Sequence, residues 1–183
     1  MPYRTERQKL KGIRKGQRQA YEVVVCQHYK SIYRFMAYLT ADVSLAEDLT
    51  QEVFICVWAS IDGFKGHASL ATWLHRIAYN KFVDSKRKLE RDAALMTKLK
   101  QHSYDAREKS NPLDRIADDE HSRLLYEAIR TLESSEYIVI VLHYIQGLSL
   151  REMAGVLDES VGTVKWRTNQ ALKRLKSFLI GRV

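Results

Sequence analysis

Proline and cysteine are scarce in this sequence, and each scarcity excludes a class of structure. Only two prolines occur in 183 residues, Pro2 and Pro112, so little interrupts a helix. The two cysteines, Cys26 and Cys56, belong to no Cys-x-x-Cys motif and no Cys/His cluster, and the six histidines share no ligand spacing. We therefore expect two buried, reduced thiols, no metal and no other cofactor.

Long apolar runs are also missing, and acidic residues are outnumbered. No stretch approaches the ~20 apolar residues of a membrane span, and the basic start lacks the apolar run of a signal peptide. These absences predict a cytoplasmic protein that does not insert into a membrane. The formal net charge of +8 favours an acidic partner, which charge alone does not identify as nucleic acid, anionic membrane or acidic protein.

The apolar residues that are present recur every three or four positions almost throughout the chain. This period predicts an all-α protein. The pattern weakens where charged residues and the Asn111-Pro112 pair dominate, which is typical of a linker. We predict a basic N-terminal extension (1–17), a helical domain (18–90), a flexible linker (91–119) and a second helical domain (120–183).

The end of the chain contains no Asp or Glu from Ser160 onward, although it contains six Lys and Arg residues. Upstream, Ser149 and Glu152 have the spacing of a capping box, which predicts a helix that ends near Leu157. Ser160 is a suitable N-cap for the basic helix that follows. Two short helices joined by a tight turn predict a helix-turn-helix.

A helical wheel divides the residues of this basic helix between two faces. The face predicted to be buried holds Val164, Ala171, Leu172, Leu175 and Leu179. The opposite face holds Gly162, Trp166, Asn169, Gln170 and Lys173. Asn and Gln can hydrogen-bond to adenine, and cations bind phosphates. Because Trp166 is the only large apolar side chain on the outer face, duplex DNA fits better than a membrane surface. An ordinary solvated face, with Trp166 packed on a neighbour, is the alternative.

Two further surfaces are predicted in the first domain. One helix turns Ala46, Leu49 and Val53 inward and the acidic residues Glu47 and Asp48 outward, which is a poor surface for DNA but a good one for a protein partner. A second helix starts near Ser69 and is predicted to turn one set of cationic, aromatic and polar residues outward: Thr72, His75, Arg76, Tyr79, Val83, Lys86 and Arg87. Interleaved cations and aromatics are typical of single-strand binding, and the preceding loop (62–69) could form the wall of a base pocket.

Taken together, these segments resemble the extracytoplasmic-function branch (ECF, group IV) of the sigma-70 family of RNA polymerase sigma factors. The resemblance rests on AEDLTQEVF (46–54) with Val57-Trp58, on WLHRIAYN (73–80) with Asp84, and on 147–149 through 161–165. It covers most of residues 16–90 and 125–178. It implies a promoter-specificity subunit that binds core RNA polymerase and promoter DNA, is held by an anti-sigma factor, and is not an enzyme.

The resemblance also implies roles for three sets of residues. The acidic face, implied to dock on the clamp helices of the polymerase largest subunit, comprises Glu47, Asp48, Gln51 and Glu52. The minus-ten set, implied to melt that element and capture its non-template strand, comprises Phe64, Lys65, His67, Trp73, His75, Arg76, Tyr79, Asn80, Lys86 and Arg87. The minus-thirty-five set, in a domain implied to touch the polymerase flap as well, comprises Ser160, Thr163, Lys165, Trp166, Arg167, Asn169, Gln170, Lys173 and Arg174.

The sequence departs from the family where promoter bases would be read. Trp166 stands where the family often has a small serine, and Asn169-Gln170 replaces an aromatic or histidine followed by arginine. The promoter sequence therefore cannot be copied from a typical member.

Two other functions remain open from the residues alone. A stand-alone helix-turn-helix regulator would dimerise on two half-sites and would need neither surface of the first domain. A nuclease could use Asp118-Asp119-Glu120-His121, but four adjacent residues on a helix point in different directions.

Overall fold

The computed structural model describes residues 5–99, 124 and 127–180, and every regular element within them is helical. The all-α prediction is therefore confirmed. In chain order the elements are α1 (Glu6–Arg14), α2 (Arg18–Thr40), α3 (Val43–Ser60), a 3₁₀ turn (Ile61–Gly63), α4 (Leu70–Leu99), α5 (Ser134–Ile140), a π-helical segment (Val141–Ile145), α6 (Leu150–Leu157) and α7 (Val161–Leu179). Helix α4 continues past residue 90, our predicted domain boundary. Most of the predicted linker and the cluster at 118–121 lie outside the described residues.

Helices α1 to α4 form the first lobe, in which α2, α3 and α4 pack around a shared core. Phe35 from α2, Val53 from α3 and Leu74 from α4 are fully buried there. Helix α3 begins where Asp42 accepts a hydrogen bond from the Leu45 backbone N–H at 3.1 Å, as an N-cap does. The cap sets where α3 begins, and burial of its apolar stripe against the core leaves its acidic face exposed.

Helices α5 to α7 form the second lobe, and its helix-turn-helix follows the sequence prediction closely. Ser149 caps α6 in a capping box with Glu152, and α6 ends at Leu157 as predicted. Ser160 caps α7 by accepting from the Thr163 backbone N–H at 3.0 Å. Between these caps the chain turns at Asp158, which adopts the left-handed conformation with φ of 58°.

The two lobes contact each other through α4 and α6. A Cβ atom added to Gly155 of α6 would lie 3.6 Å from Cγ2 of Thr72 on α4. The Tyr137 hydroxyl also donates a 2.9 Å hydrogen bond to the Tyr38 carbonyl across the lobes. Because 3.6 Å is an ordinary van der Waals distance, a methyl group fits at position 155, and a longer side chain there would be directed at α4.

Two expectations about burial are wrong. Cys26 is exposed and Cys56 is only half-buried, because both lie at the edge of the α2 and α3 core stripes. Leu172, predicted to be buried on α7, is 38% exposed. Thr168 is buried in its place and can be, because its hydroxyl donates to the Val164 carbonyl at 2.8 Å.

Candidate nucleic-acid interface

The acidic face lies on the outer side of α3, and all four of its residues are exposed. Lys81 of α4 contacts the edge of this face through a 3.1 Å ion pair with Glu52. Sequence reasoning missed the apolar continuation of the face, where Ile55 is 69% exposed and Trp58 is 43% exposed. Ile55 follows Gln51 by four residues and Trp58 follows Ile55 by three, and this helical spacing was the signal that could have identified them.

The loop before α4 is anchored by an aromatic pair. Phe64 is buried, and its ring centroid lies 5.1 Å from that of Trp73. The ring of Phe64 is therefore used for packing, and the role of this loop as the wall of a base pocket stays a prediction. Lys65 and His67 are exposed on the same loop. They are available to a ligand, whereas Phe64 positions the loop.

Thr72 and His75 were predicted to face outward, but each is only 3% exposed. The second lobe covers both of them. The Thr72 hydroxyl donates to Glu152 Oε1 at 3.3 Å. Arg76, one turn farther along α4, forms a 3.0 Å ion pair with Asp158. The prediction of an exposed face is therefore wrong for Thr72 and His75, because a wheel built on one helix cannot include a neighbour from another lobe.

His75 lies at the centre of this contact, and its protonation state follows from its partners. Its Nδ1 lies 2.8 Å from the Ala71 carbonyl, which can only accept, so Nδ1 donates the hydrogen bond. Burial is the largest influence on His75 and lowers the pKa of its imidazole below the usual value, against smaller opposing effects of hydrogen bonds and of Glu152. A neutral ring with a proton on Nδ1 leaves Nε2 as an acceptor.

Gln146 of the second lobe completes the contact. Its side-chain oxygen lies 3.3 Å from His75 Nε2 and 2.8 Å from the Ser31 hydroxyl, while its side-chain nitrogen is buried without a hydrogen-bond partner. A 180° rotation of the amide exchanges these two atoms and brings a donor to the neutral imidazole. A protonated His75 would instead donate to the oxygen. The amide orientation is therefore coupled to the charge of His75.

The contact between the lobes should weaken as the solution becomes acidic. Burial holds the His75 pKa below its unperturbed value of about 6.5. Above that pH the ring is neutral in both the closed and the open form, so its full contribution to the stability of the closed form is present. Stability is lost as the pH falls from about 6.5 through the lowered pKa, since the open form then binds an extra proton. We expect the radius of gyration measured by small-angle scattering to increase between pH 7.5 and pH 5.5. A His75→Gln variant should lack this response, and an equal response in the variant would contradict the assignment.

Other members of the minus-ten set lie farther along α4. Asn80, Lys86 and Arg87 are exposed, and Tyr79 is half-buried. Tyr79, Lys86 and Arg87 line a cleft of about 610 Å³ between the lobes, which Tyr137 and Leu157 border from the second lobe. The structure thus places part of the set in this cleft, Thr72 and His75 under the second lobe, and Lys65 and His67 on the separate loop.

The minus-thirty-five set follows α7, but its members are not equally available. The exposed ones are Ser160, Thr163, Lys165, Trp166, Asn169, Lys173 and Arg174, and Gln170 is half-buried. Arg167 forms a 2.9 Å ion pair with Glu159. Arg174 lies 3.3 Å from Glu133 and 3.4 Å from the buried Glu136. These two arginines contribute to the packing of the lobe, so the unpaired lysines are better phosphate ligands.

The described residues contain no group of three or more metal-ligating side chains. Within that part of the chain, no helix is long and apolar enough to cross a membrane.

Comparison with known proteins yields two matches to sequence families and several similar proteins. Residues 24–92 match the sigma-70 region 2 family, and residues 122–175 match the sigma-70 region 4 family. The chain is 32% identical over 179 residues to the ECF RNA polymerase sigma factor SigW of Bacillus subtilis, covering 94% of this chain and 96% of SigW. It is 31% identical over 164 residues to SigX of the same organism, covering 88% of this chain and 84% of SigX.

Two solved structures share the fold. One is the sigma factor RpoE in complex with the anti-sigma factor NepR from Bartonella quintana, with a TM-score of 0.68 at 23% identity, covering 89% of this chain and 98% of the other. The other is CnrH in complex with the cytosolic domain of CnrY, with a TM-score of 0.69 at 22% identity, covering 96% and 97%.

Proposed function

We propose that the two lobes have separate roles in transcription initiation. This chain belongs to the ECF RNA polymerase sigma factors, and it therefore directs promoter-dependent transcription initiation with RNA polymerase. The first lobe docks on the polymerase and captures melted DNA, and the second lobe reads duplex DNA. The observation that carries this proposal is the pair of distinct surfaces on one small lobe: an exposed acidic face on α3 and a cationic, aromatic surface on α4. A stand-alone regulator is not favoured, because both sigma regions are matched along the chain.

The acidic face of α3 is the docking surface for the clamp helices of the polymerase largest subunit. An exposed acidic helix on a protein of net charge +8 repels DNA and attracts a basic protein surface. The exposed Ile55 and Trp58 extend this face with apolar area, which an acidic patch alone would not supply. In the same proposal, the second lobe contacts the polymerase flap.

The minus-ten set captures the melted non-template strand. Lys65 and His67 border a position for an unstacked base beside the anchored loop, and Tyr79 offers a ring for stacking. Arg76, Lys86 and Arg87 bind phosphates. Since Thr72, His75 and Arg76 contact the second lobe, the strand can occupy the whole surface only after the lobes separate.

The described form is therefore a closed, inactive one, and its free affinity for DNA is low. An anti-sigma factor would hold it closed. The cleft between the lobes combines apolar residues with charged residues of both signs, Lys86, Arg87 and Arg167 against Glu90 and Glu159, which suits an amphipathic helix of such a partner. Among the similar solved structures, RpoE is in complex with the anti-sigma factor NepR, and CnrH is in complex with the cytosolic domain of CnrY.

The direct experiment is run-off transcription with purified core RNA polymerase on fragmented genomic DNA. We expect promoter-specific transcripts only when this chain is added. Duplex binding by the chain alone, without any effect on polymerase, would instead favour the stand-alone regulator.

Base reading by α7 yields a separate prediction. Asn169 is exposed in the third turn of α7 and can pair with an adenine in the major groove. We expect Asn169→Ala to lose about 1–3 kcal/mol of discrimination at one base pair of the minus-thirty-five element. Lys173→Ala is the matched control and should weaken binding equally for all sequences. The measurement is the affinity of the holoenzyme for a set of promoters with single base changes. If the Asn169→Ala variant keeps the same preference among these promoters, Asn169 does not read a base.

A further inference from the structure

The basic N-terminal extension has no role in the function proposed above, yet it is built into the first lobe. Residues 1–18 contain seven Lys and Arg residues and one acidic residue. Helix α1 starts with a capping box between Thr5 and Gln8, and Ile13 is buried at 3% exposure. Such an anchored helix fixes the backbone positions of Lys11 and Lys15, unlike a solvated basic tail.

Helix α1 places its lysines beside the loop that precedes α4. It packs against the 3₁₀ turn at Ile61–Gly63 and borders an open hollow of about 790 Å³. The hollow is lined by Thr5, Gln8, Leu10, Lys11, Lys15, Phe64, Lys65 and Gly66. Three of these residues are lysines and none is acidic. In the described part of the chain, Lys11, Lys15 and Lys65 form no ion pair.

We propose that Lys11 and Lys15 bind the sugar-phosphate backbone of the non-template single strand, next to the bases captured by the loop. The proposal rests on the proposed function, because Lys65 belongs both to this hollow and to the minus-ten set. A strand held at Lys65 and His67 has its next phosphates within the adjoining surface.

The chemistry of the hollow selects phosphate rather than base. Lysines are flexible point charges that neutralise phosphates without reading sequence. The one aromatic ring in the lining, that of Phe64, is buried and packed on Trp73, so it cannot stack on a base. The helix therefore adds affinity and salt dependence to promoter binding, and it leaves sequence preference unchanged.

The test uses holoenzyme reconstituted from core RNA polymerase and the full chain, on a promoter recovered by the run-off experiment. Lys11→Ala with Lys15→Ala should weaken binding to a promoter with a preformed minus-ten bubble about tenfold, and should reduce the salt slope by about 1.4, since each single-strand phosphate contact contributes about 0.7. Binding to a duplex fragment that carries only the minus-thirty-five element should not change.

Two control variants separate local charge from general charge. Lys11→Arg with Lys15→Arg should bind like the wild type. Lys30→Ala with Arg34→Ala removes the same charge from exposed positions on α2 and should also have no effect. The proposal is overturned if the Lys11 and Lys15 variant binds the bubble like wild type, or if it loses equal affinity on both fragments. If the wild-type chain forms no holoenzyme, the proposed function fails first and this inference fails with it.

Discussion

Reversing two charges on α3 should abolish binding to core RNA polymerase. We expect Asp48→Arg with Glu52→Arg to lower the affinity of the chain for core polymerase by at least about 100-fold, because like charges brought together in an interface cost several kcal/mol. Both side chains are exposed, and the ion pair between Glu52 and Lys81 is a surface pair, so the fold should lose little stability. The measurement is a pull-down of purified core polymerase, followed by titration.

The matched control carries the same change in net charge at other exposed acidic positions. Glu22→Arg with Glu127→Arg should bind polymerase like the wild type, because Glu22 lies on α2 and Glu127 precedes α5, away from the acidic face. Equal loss in the control would mean that net charge alone determines binding. If the variant with Asp48→Arg and Glu52→Arg binds polymerase like the wild type, the docking surface is not on α3.

Surfaces that depend on one helix and its cap could be predicted from the sequence. The apolar stripe of α3 indicates which face is buried, so the exposure of Glu47, Asp48 and Gln51 was predicted correctly. Glu52, which the sequence places at the border of that face, is exposed as well. The bounds of α6 follow in the same way from the Ser149 capping box. These features are local, and local periodicity and capping are sufficient to place them.

Surfaces that depend on a second lobe could not be predicted. The helical wheel of α4 places Thr72 and His75 opposite its core face, and no pattern in that segment indicates that the second lobe covers them. Gln146, which joins the lobes through Ser31 and His75, is separated from Ser31 by 115 residues. Such a contact depends on the shape of both lobes, so the hydrophobic periodicity within either lobe does not predict it.

Under the proposed function, this contact between the lobes would make the isolated chain bind DNA weakly. Each polar interaction in it contributes only about 0.5–1.5 kcal/mol, and the exposed pair between Arg76 and Asp158 contributes less. Several of these together shift the population to the closed form by a modest free energy. Polymerase docking or a change in packing can therefore reverse the equilibrium.

A wedge at Gly155 should open the lobes and raise DNA binding in the absence of polymerase. The Cβ of any residue at this position would already contact Thr72 at 3.6 Å, so the branched side chain of a Gly155→Leu variant cannot fit between α6 and α4. Leucine is a good helix former, which keeps α6 itself intact. If fewer than one molecule in ten is open in the wild type, we expect at least about tenfold tighter binding of a labelled single-stranded oligonucleotide. The radius of gyration should increase as well.

Gly155→Ala is the control that separates the wedge from the change in helix propensity. Its single methyl fits at van der Waals distance from Thr72, and alanine stabilises a helix by about 1 kcal/mol relative to glycine. We therefore expect this variant to remain closed, to bind the oligonucleotide as weakly as wild type and to unfold at higher urea. Opening also exposes His75, so the Gly155→Leu variant should lose the expansion between pH 7.5 and pH 5.5, whereas Gly155→Ala should keep it. If both variants scatter X-rays and bind DNA alike, the contact at Thr72 does not control access to the minus-ten surface.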